Sequence, residues 1–205
     1  NEENDRLETS YHLISSLNRL GRPKDTVFFL QKIATAKNEI PPNFLPIFVE
    51  SHKELVNKKR YALHVIDEEI KNLGETWDED PRLKTELVNY RKKKYDNLNY
   101  FCERVVSILD KTLLPNAQDK RKSFFYYKMK GDFLRYQAEF RQEKNQKYYV
   151  EQAQDAYRNA QLISNDSLDP AGTENLGLVM NLTVLMYEFL DQKVEAIKLI
   201  EKTFR

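Results

Sequence analysis

The chain has 205 residues, with 33 Lys and Arg against 32 Asp and Glu, so its formal net charge is +1. This balance argues against a general nucleic-acid-binding protein, which carries a basic excess. A hydrophobic fraction of 40% argues against a disordered chain, and a single Cys excludes an internal disulfide. The sequence contains no run of about 18 apolar residues, so it predicts no membrane-spanning helix. We therefore expect a soluble intracellular protein.

Residues that break helices are rare in this sequence. Gly and Pro total only 12, whereas an all-β fold needs a turn about every 8–12 residues. Between these breakers the apolar residues recur at spacings of three and four, which predicts amphipathic helices. The eight predicted helices span residues 3–20, 24–37, 42–73, 83–109, 124–140, 148–163, 175–190 and 194–204. No segment is rich enough in Gly, Ser or Pro to mark a domain boundary, so we expect one all-α domain of antiparallel helices over residues 1–205.

Two glycines, Gly131 and Gly177, fall inside predicted helices. A glycine in a helix interior costs about 1 kcal/mol relative to alanine. Close contact between helix backbones explains such a residue, and so does room for a ligand. The sequence alone leaves both explanations open.

No arrangement typical of an enzyme is present. The sequence contains no glycine-rich phosphate loop, no Gly-x-Ser-x-Gly elbow and no His-Glu-x-x-His pair. His12, His52 and His64 have no Cys or paired carboxylate at ligand spacing, so we interpret them as surface or partly packed side chains. Cys102 lies among apolar positions and is interpreted as a buried small hydrophobe. We expect no enzymatic activity, no metal site and no cofactor.

Three sets of residues each share one helix face, because their members repeat at about seven positions. These sets are Lys53 with Arg60; Lys128, Asp132 and Arg135, followed by Tyr136; and Asn181, Val184 and Glu188. If the helices converge, the basic side chains and the tyrosine hydroxyl form a strong site for a phosphate dianion, because guanidinium binds its oxygens bidentately. A solvated helix face is the alternative for each set. Periodicity alone leaves the convergence open.

Two longer segments resemble the signature segments of the 14-3-3 family. They read FYYKMKGDFLRYQAE, at residues 125–139, and NLGLVMNLTVLMYEF, at residues 175–189. Shorter matches at residues 113–117 and 154–157 extend the similarity, which covers about residues 22–204. The resemblance implies a 14-3-3-like all-α fold and an adaptor that binds phosphoserine or phosphothreonine segments of partner proteins in an amphipathic groove. It also implies a location in the cytoplasm, with the nucleus as a second location.

The resemblance assigns roles to individual residues. The phosphate-binding positions are Lys53, Arg60, Arg135 and Tyr136. The peptide-binding positions are Lys128, Met180, Asn181 and Val184, and Asp132 and Glu188 are expected to orient the basic cluster. A phosphate carries a charge of about −1.5 to −2 and three acceptor oxygens, so a preformed cationic pocket distinguishes it from a bare hydroxyl.

The same resemblance implies a homodimer, or a heterodimer with another family member. Residues 3–37 are expected to mediate dimerisation and residues 42–205 to form the peptide groove. The dimer-interface positions are Arg22, Asp25, Tyr90 and Lys93. Asp25 and Lys93 match a cross-dimer ion pair, whereas Asn97 replaces the acidic partner expected for Arg22. An exposed ion pair contributes only about 0–1 kcal/mol, so this loss does not abolish dimerisation.

The sequence departs from the family in three respects. Family members continue into a further helix beyond the one that ends near Phe204, Ala62 replaces a regulatory Ser of many members, and Leu63 replaces a Trp. A groove without its last helix favours an alternative function, a scaffold on the same fold that recognises partners without phosphate.

A helical-repeat protein of the tetratricopeptide type is a further alternative. Such a repeat predicts self-similarity at about 34 residues, which is absent from this sequence.

Overall fold

A computed structural model describes residues 2–74, 80–141, 143–167, 169 and 172–203. This part of the chain contains eight α-helices and no strand, which confirms the all-α prediction. The helices are α1 Glu2–Arg19, α2 Pro23–Lys37, α3 Leu45–Leu73, α4 Pro81–Ile108, α5 Lys120–Glu139, α6 Glu143–Ser167, α7 Thr173–Phe189 and α8 Lys193–Thr203. The last residue of the predicted helix 194–204, Phe204, lies outside the described residues.

The largest differences at a helix start are at α5, which begins at Lys120 rather than residue 124, and at α6, which begins at Glu143 rather than residue 148. The cause is clear for α5, whose first turn is charged and carries no apolar periodicity. Asp119 caps this helix, because its side chain accepts a hydrogen bond from the backbone N–H of Arg121 at 2.8 Å. The start of α5 is therefore set by a capping residue and a charged first turn, and the spacing of hydrophobic residues does not predict it.

The predicted helix over residues 83–109 differs from α4 at both ends. Asp80 caps α4 by accepting hydrogen bonds from the backbone N–H groups of Arg82 and Leu83, each at 3.0 Å, and Pro81 occupies the first helical position. After Ile108 the chain continues as a π-helical turn, Leu109–Leu113. In this turn the N–H of Leu114 bonds to the carbonyl of Leu109 at 2.8 Å.

The chain forms two compact units, residues 1–103 and 104–205, and the division falls inside α4. In the first unit, α1, α2 and α3 pack against one another. The largest fully buried hydrophobic side chains of this unit are Ile14, Leu30, Ile40, Phe44, Phe48, Leu63 and Leu98. The expectation of one domain over residues 1–205 stays a prediction, which limited proteolysis tests directly.

The second unit is built on the contact between α5 and α6. Gly131 of α5 lies against the ring of Tyr157 on α6, and a Cβ atom at Gly131 would come within 2.5 Å of Tyr157 Cε1. Three small residues, Ala153, Ala156 and Ala160, are buried in the same cluster as Tyr157. Close packing is therefore the explanation for Gly131.

His52 is fully buried on α3, whereas the sequence predicts a surface or partly packed side chain. Its Nδ1 lies 2.6 Å from the carbonyl of Phe48, and its Nε2 lies 3.2 Å from Nε2 of Gln31. Burial lowers the pKa of His52 to about 4, although the bond to Phe48 acts in the opposite direction. The ring is therefore neutral at pH 7, with Nδ1–H donating to Phe48 and Nε2 accepting from Gln31. Cys102 is buried, as predicted.

Candidate functional site

A buried carboxylate, Asp132 on α5, joins three helices of the second unit. Its Oδ1 accepts hydrogen bonds from the Tyr157 hydroxyl on α6 at 2.7 Å and from Nδ2 of Asn181 on α7 at 2.5 Å. Its Oδ2 lies 3.4 Å from Nζ of Lys128, one turn earlier on α5. A buried carboxylate is stable only when it is paired and hydrogen-bonded. Asp132 meets this condition through all three helices.

Arg135 lies on the same helix, one turn beyond Asp132, and only 8% of it is exposed. Its Nε donates a hydrogen bond to the Tyr157 hydroxyl at 3.3 Å, and its guanidinium carbon lies 4.8 Å from the ring centre of Tyr136. Burial alone lowers the pKa of Arg135, but the neighbouring Tyr157, Tyr136 and Asp132 outweigh it and raise that pKa above its ordinary value. Arg135 therefore keeps its positive charge despite its burial.

Tyr157 is the residue of this network that sequence reasoning did not single out. Its hydroxyl contacts both Asp132 and Arg135. Burial, followed by the charge of Asp132, raises the pKa of Tyr157 well above its ordinary value, so the hydroxyl keeps its proton. One sequence feature could have pointed to Tyr157. It is a large aromatic residue among the alanines of α6, and α5 has an interior glycine, Gly131, that leaves room for its ring.

Lys128 lies at the side of this network and is mostly buried, with 12% of its side chain exposed. A Cβ atom at Gly177 of α7 would lie 3.7 Å from Cε of Lys128, which is an ordinary contact distance. Gly177 therefore lies beside the aliphatic part of the Lys128 side chain, and a Cβ atom there would not be as crowded as one at Gly131.

The α7 residues predicted to face a peptide occupy the exposed side of that helix. Met180 is 57% and Val184 is 36% exposed, while Leu178 and Leu185 are buried. Asn181 is half-buried and is held by Asp132. Glu188 is exposed, and its predicted role in orienting the basic cluster stays a prediction.

Lys53 and Arg60 lie on α3 in the first unit, and both are half-buried. Nη1 of Arg60 donates a hydrogen bond to Oδ1 of Asn57 at 3.0 Å. The buried side of α3 carries Leu55 and Leu63. The two basic side chains therefore lie at the border of a helix whose other face is packed in the core.

The four predicted dimer residues line one depression of about 670 Å³ in the first unit. Nε of Arg22 forms an ion pair with Oδ2 of Asp25 at 2.6 Å, and Tyr90 is 48% exposed. The other charged residues that line the depression are Lys24, Lys58, Lys59 and Lys94. Burial, followed by the charge of Lys24, lowers the pKa of Lys59. Cations predominate in this depression.

Comparison with known proteins gives a consistent result. A sequence model of the family described as "14-3-3 protein" matches residues 13–205. The 14-3-3-like protein GF14 epsilon of Arabidopsis thaliana is 29% identical over 202 residues, which cover 98% of this chain and 78% of that protein. The checkpoint signal transducer rad25 of Schizosaccharomyces pombe is 30% identical over 200 residues, which cover 96% of this chain and 72% of that protein.

The structure adds that none of the helices it describes combines the length and the apolar character needed to cross a membrane. The family match covers the α5 segment that carries Asp132 and Arg135 and the α7 segment that carries Asn181. It supports an adaptor or regulatory role. The chain belongs to the 14-3-3 family.

Proposed function

We propose that this protein is a regulatory adaptor that binds phosphoserine- or phosphothreonine-containing segments of partner proteins. The observation that carries the proposal is the buried network on α5, in which Asp132 and Tyr157 hold Arg135 in a charged and fixed state. A guanidinium held in this way is suited to a phosphate, because charge-assisted bonds to phosphate are strong and directional.

The phosphate-binding residues in this proposal are Arg135 and Tyr136 of α5, with Lys53 and Arg60 of α3. The support for the α5 pair is structural, since Arg135 keeps its charge and lies over the Tyr136 ring. The support for the α3 pair is the family resemblance together with their shared face on that helix.

The remaining peptide contacts fall to α5 and α7. The side-chain amide of Asn181 donates a hydrogen bond to Asp132. Asn181 is proposed to bind the peptide main chain. Met180 and Val184 are proposed to contact apolar peptide side chains, because both are exposed on α7. Lys128 borders this group, and Asp132 orients its ammonium.

We further propose that the protein dimerises through Arg22, Asp25, Tyr90 and Lys93. The support is that all four residues line one depression in the first unit. The proposed location is the cytoplasm, with the nucleus as a second location.

The test of phosphate recognition is fluorescence anisotropy with a labelled peptide pool that has a central phosphoserine and with its unphosphorylated twin. We expect the protein to prefer the phosphorylated pool and Arg60→Glu to remove that preference. Arg158→Glu is the matched control, because Arg158 is an exposed arginine on α6. Equal binding of the two pools by the unmodified protein would favour the phosphate-independent scaffold instead.

A further inference from the structure

The Tyr157 hydroxyl uses both of its hydrogen-bonding capacities inside the α5–α6 contact. It donates its proton to Oδ1 of Asp132 at 2.7 Å and accepts a hydrogen bond from Nε of Arg135 at 3.3 Å. A phenolic hydroxyl has one donor, so a proton given to Asp132 leaves the oxygen lone pairs directed to Arg135. One atom therefore connects the carboxylate and the guanidinium.

The position of this hydroxyl is set by the packing of the ring. Tyr157 is fully buried, and its ring fills the space left by the missing side chain of Gly131. Buried side chains in a close-packed core have little freedom to move. The oxygen is thus placed by the contact between two helices rather than by solvent.

Arg135 gains orientation from this contact. Its Nε–H is engaged by Tyr157, and its guanidinium carbon lies 4.8 Å from the Tyr136 ring centre. Two contacts from different directions fix the plane of a guanidinium. Bidentate binding of phosphate depends on the orientation of that plane, and a group held in its bound geometry loses less entropy when the ligand arrives.

We infer that Tyr157 is a positioning residue for phosphate recognition, which acts by holding the Arg135 guanidinium in its binding orientation through the acceptor side of the hydroxyl. This inference rests on the proposed phosphopeptide function. Tyr157 does not touch the ligand in this account, since its side chain is fully buried. It sets the strength of phosphate binding through Arg135.

Tyr157→Phe removes one oxygen and keeps the ring that packs on Gly131. We expect its affinity for the phosphoserine pool to fall about tenfold, while its affinity for the unphosphorylated pool stays within twofold. Tyr148→Phe is the matched control, because Tyr148 lies on the same helix and is 61% exposed, and it should bind like the unmodified protein.

A second substitution separates positioning from stability. Incorporation of para-aminophenylalanine at position 157 keeps an N–H donor for Asp132, but an aromatic amine is a poor acceptor for the Arg135 Nε–H. Positioning predicts that this protein melts close to the unmodified one and yet shows the weakened phosphopeptide binding of the Phe variant. A purely structural role predicts that it binds like the unmodified protein, which would overturn the inference.

The ¹⁵Nε–Hε resonance of Arg135, assigned by its loss in Arg135→Lys, provides a readout without ligand. We expect this resonance to shift in both position-157 proteins and to stay in place in Tyr148→Phe. If the unmodified protein prefers the phosphorylated pool and Tyr157→Phe keeps that preference undiminished, the inference fails alone. If the unmodified protein shows no preference, the proposed function fails and the inference falls with it.

Discussion

The Tyr157 hydroxyl lies 2.7 Å from the Asp132 carboxylate, and both side chains are fully buried. An ionised carboxylate in such a place is destabilising unless strong donors surround it. Tyr157 stays protonated because burial and the charge of Asp132 raise its pKa, so it remains a donor across the physiological pH range. This pair links the packing of α5 on α6 to the charge on Arg135.

Asp132→Asn tests the importance of the carboxylate charge. The amide keeps the shape of the side chain but loses the charge that attracts Lys128 and strengthens the bond from Tyr157. We expect the free energy of unfolding in urea to fall by about 1–3 kcal/mol and phosphopeptide affinity to fall with it. Asp155→Asn, at an exposed position of α6, should change neither quantity. An equal loss in the two variants would contradict the account.

Gly131→Ala and Gly177→Ala are expected to act in opposite directions. A methyl group at Gly131 comes within 2.5 Å of the Tyr157 ring, so the core must shift, and overpacking of this kind costs about 1–3 kcal/mol. A methyl group at Gly177 lies 3.7 Å from Lys128 Cε, which leaves the gain in helix propensity of up to about 1 kcal/mol. Urea denaturation of both variants measures the difference. Destabilisation of similar size in both would show that close packing is not what requires Gly131.

His52 predicts a loss of stability in mild acid. Its pKa is about 4 in the folded protein and about 6.5 in the unfolded chain. The unfolded state therefore binds a proton first as the pH falls, and the free energy of unfolding declines between about pH 6.5 and pH 4. Because one pKa unit corresponds to 1.36 kcal/mol, we expect a loss of roughly 2 kcal/mol between pH 7 and pH 5.

Comparison of two histidine variants separates the acid-induced loss of stability due to His52 from the loss due to carboxyl groups. His52→Gln should be less stable than the unmodified protein at pH 7, but it should lack the part of the acid loss that belongs to His52. His64→Gln, at an exposed position on α3, should retain the full loss. Parallel pH profiles for the unmodified protein and His52→Gln would refute the prediction.

The proposed dimer leads to a charge-reversal experiment. If Asp25 of one subunit pairs with Lys93 of the other, Lys93→Glu should weaken the dimer by about tenfold, since a symmetric dimer contains the pair twice and each exposed pair contributes about 0–1 kcal/mol. Asp25→Lys combined with Lys93→Glu should restore most of that affinity. Sedimentation equilibrium measures the dissociation constants. A double variant no tighter than the single one would contradict this pairing.

Much of the fold was accessible from the sequence, because long amphipathic helices carry a strong periodic signal. The pattern failed where the first turn is polar, as at Lys120, since the start of α5 depends on the Asp119 cap. It also missed the burial of His52, whose two ring nitrogens are paired with Phe48 and Gln31. Hydrophobic spacing contains no information about such pairing.

The candidate site was accessible only in part. Spacing placed Lys128, Asp132 and Arg135 on one helix face. In the structure Lys128 lies next to the Asp132 carboxylate, and Arg135 is linked to that carboxylate through the Tyr157 hydroxyl. Tyr157 is contributed by another helix, and the distance between its hydroxyl and Arg135 depends on how α6 packs on α5. A contact between helices of this kind is a tertiary property that periodicity along one helix does not encode.

The ratio of the dissociation constants for the unphosphorylated and phosphorylated forms of one bound peptide tests phosphate recognition most directly. Two charge-assisted hydrogen bonds, each worth about 1.5 kcal/mol at the low end of the usual range, correspond to about 3 kcal/mol and predict a ratio of at least about 100 for the unmodified protein. Arg135→Lys keeps the charge but not the bidentate geometry, so it should reduce this ratio by about tenfold. A ratio near one for the unmodified protein would contradict the proposal that this 14-3-3 protein recognises the phosphate group of its peptide ligands.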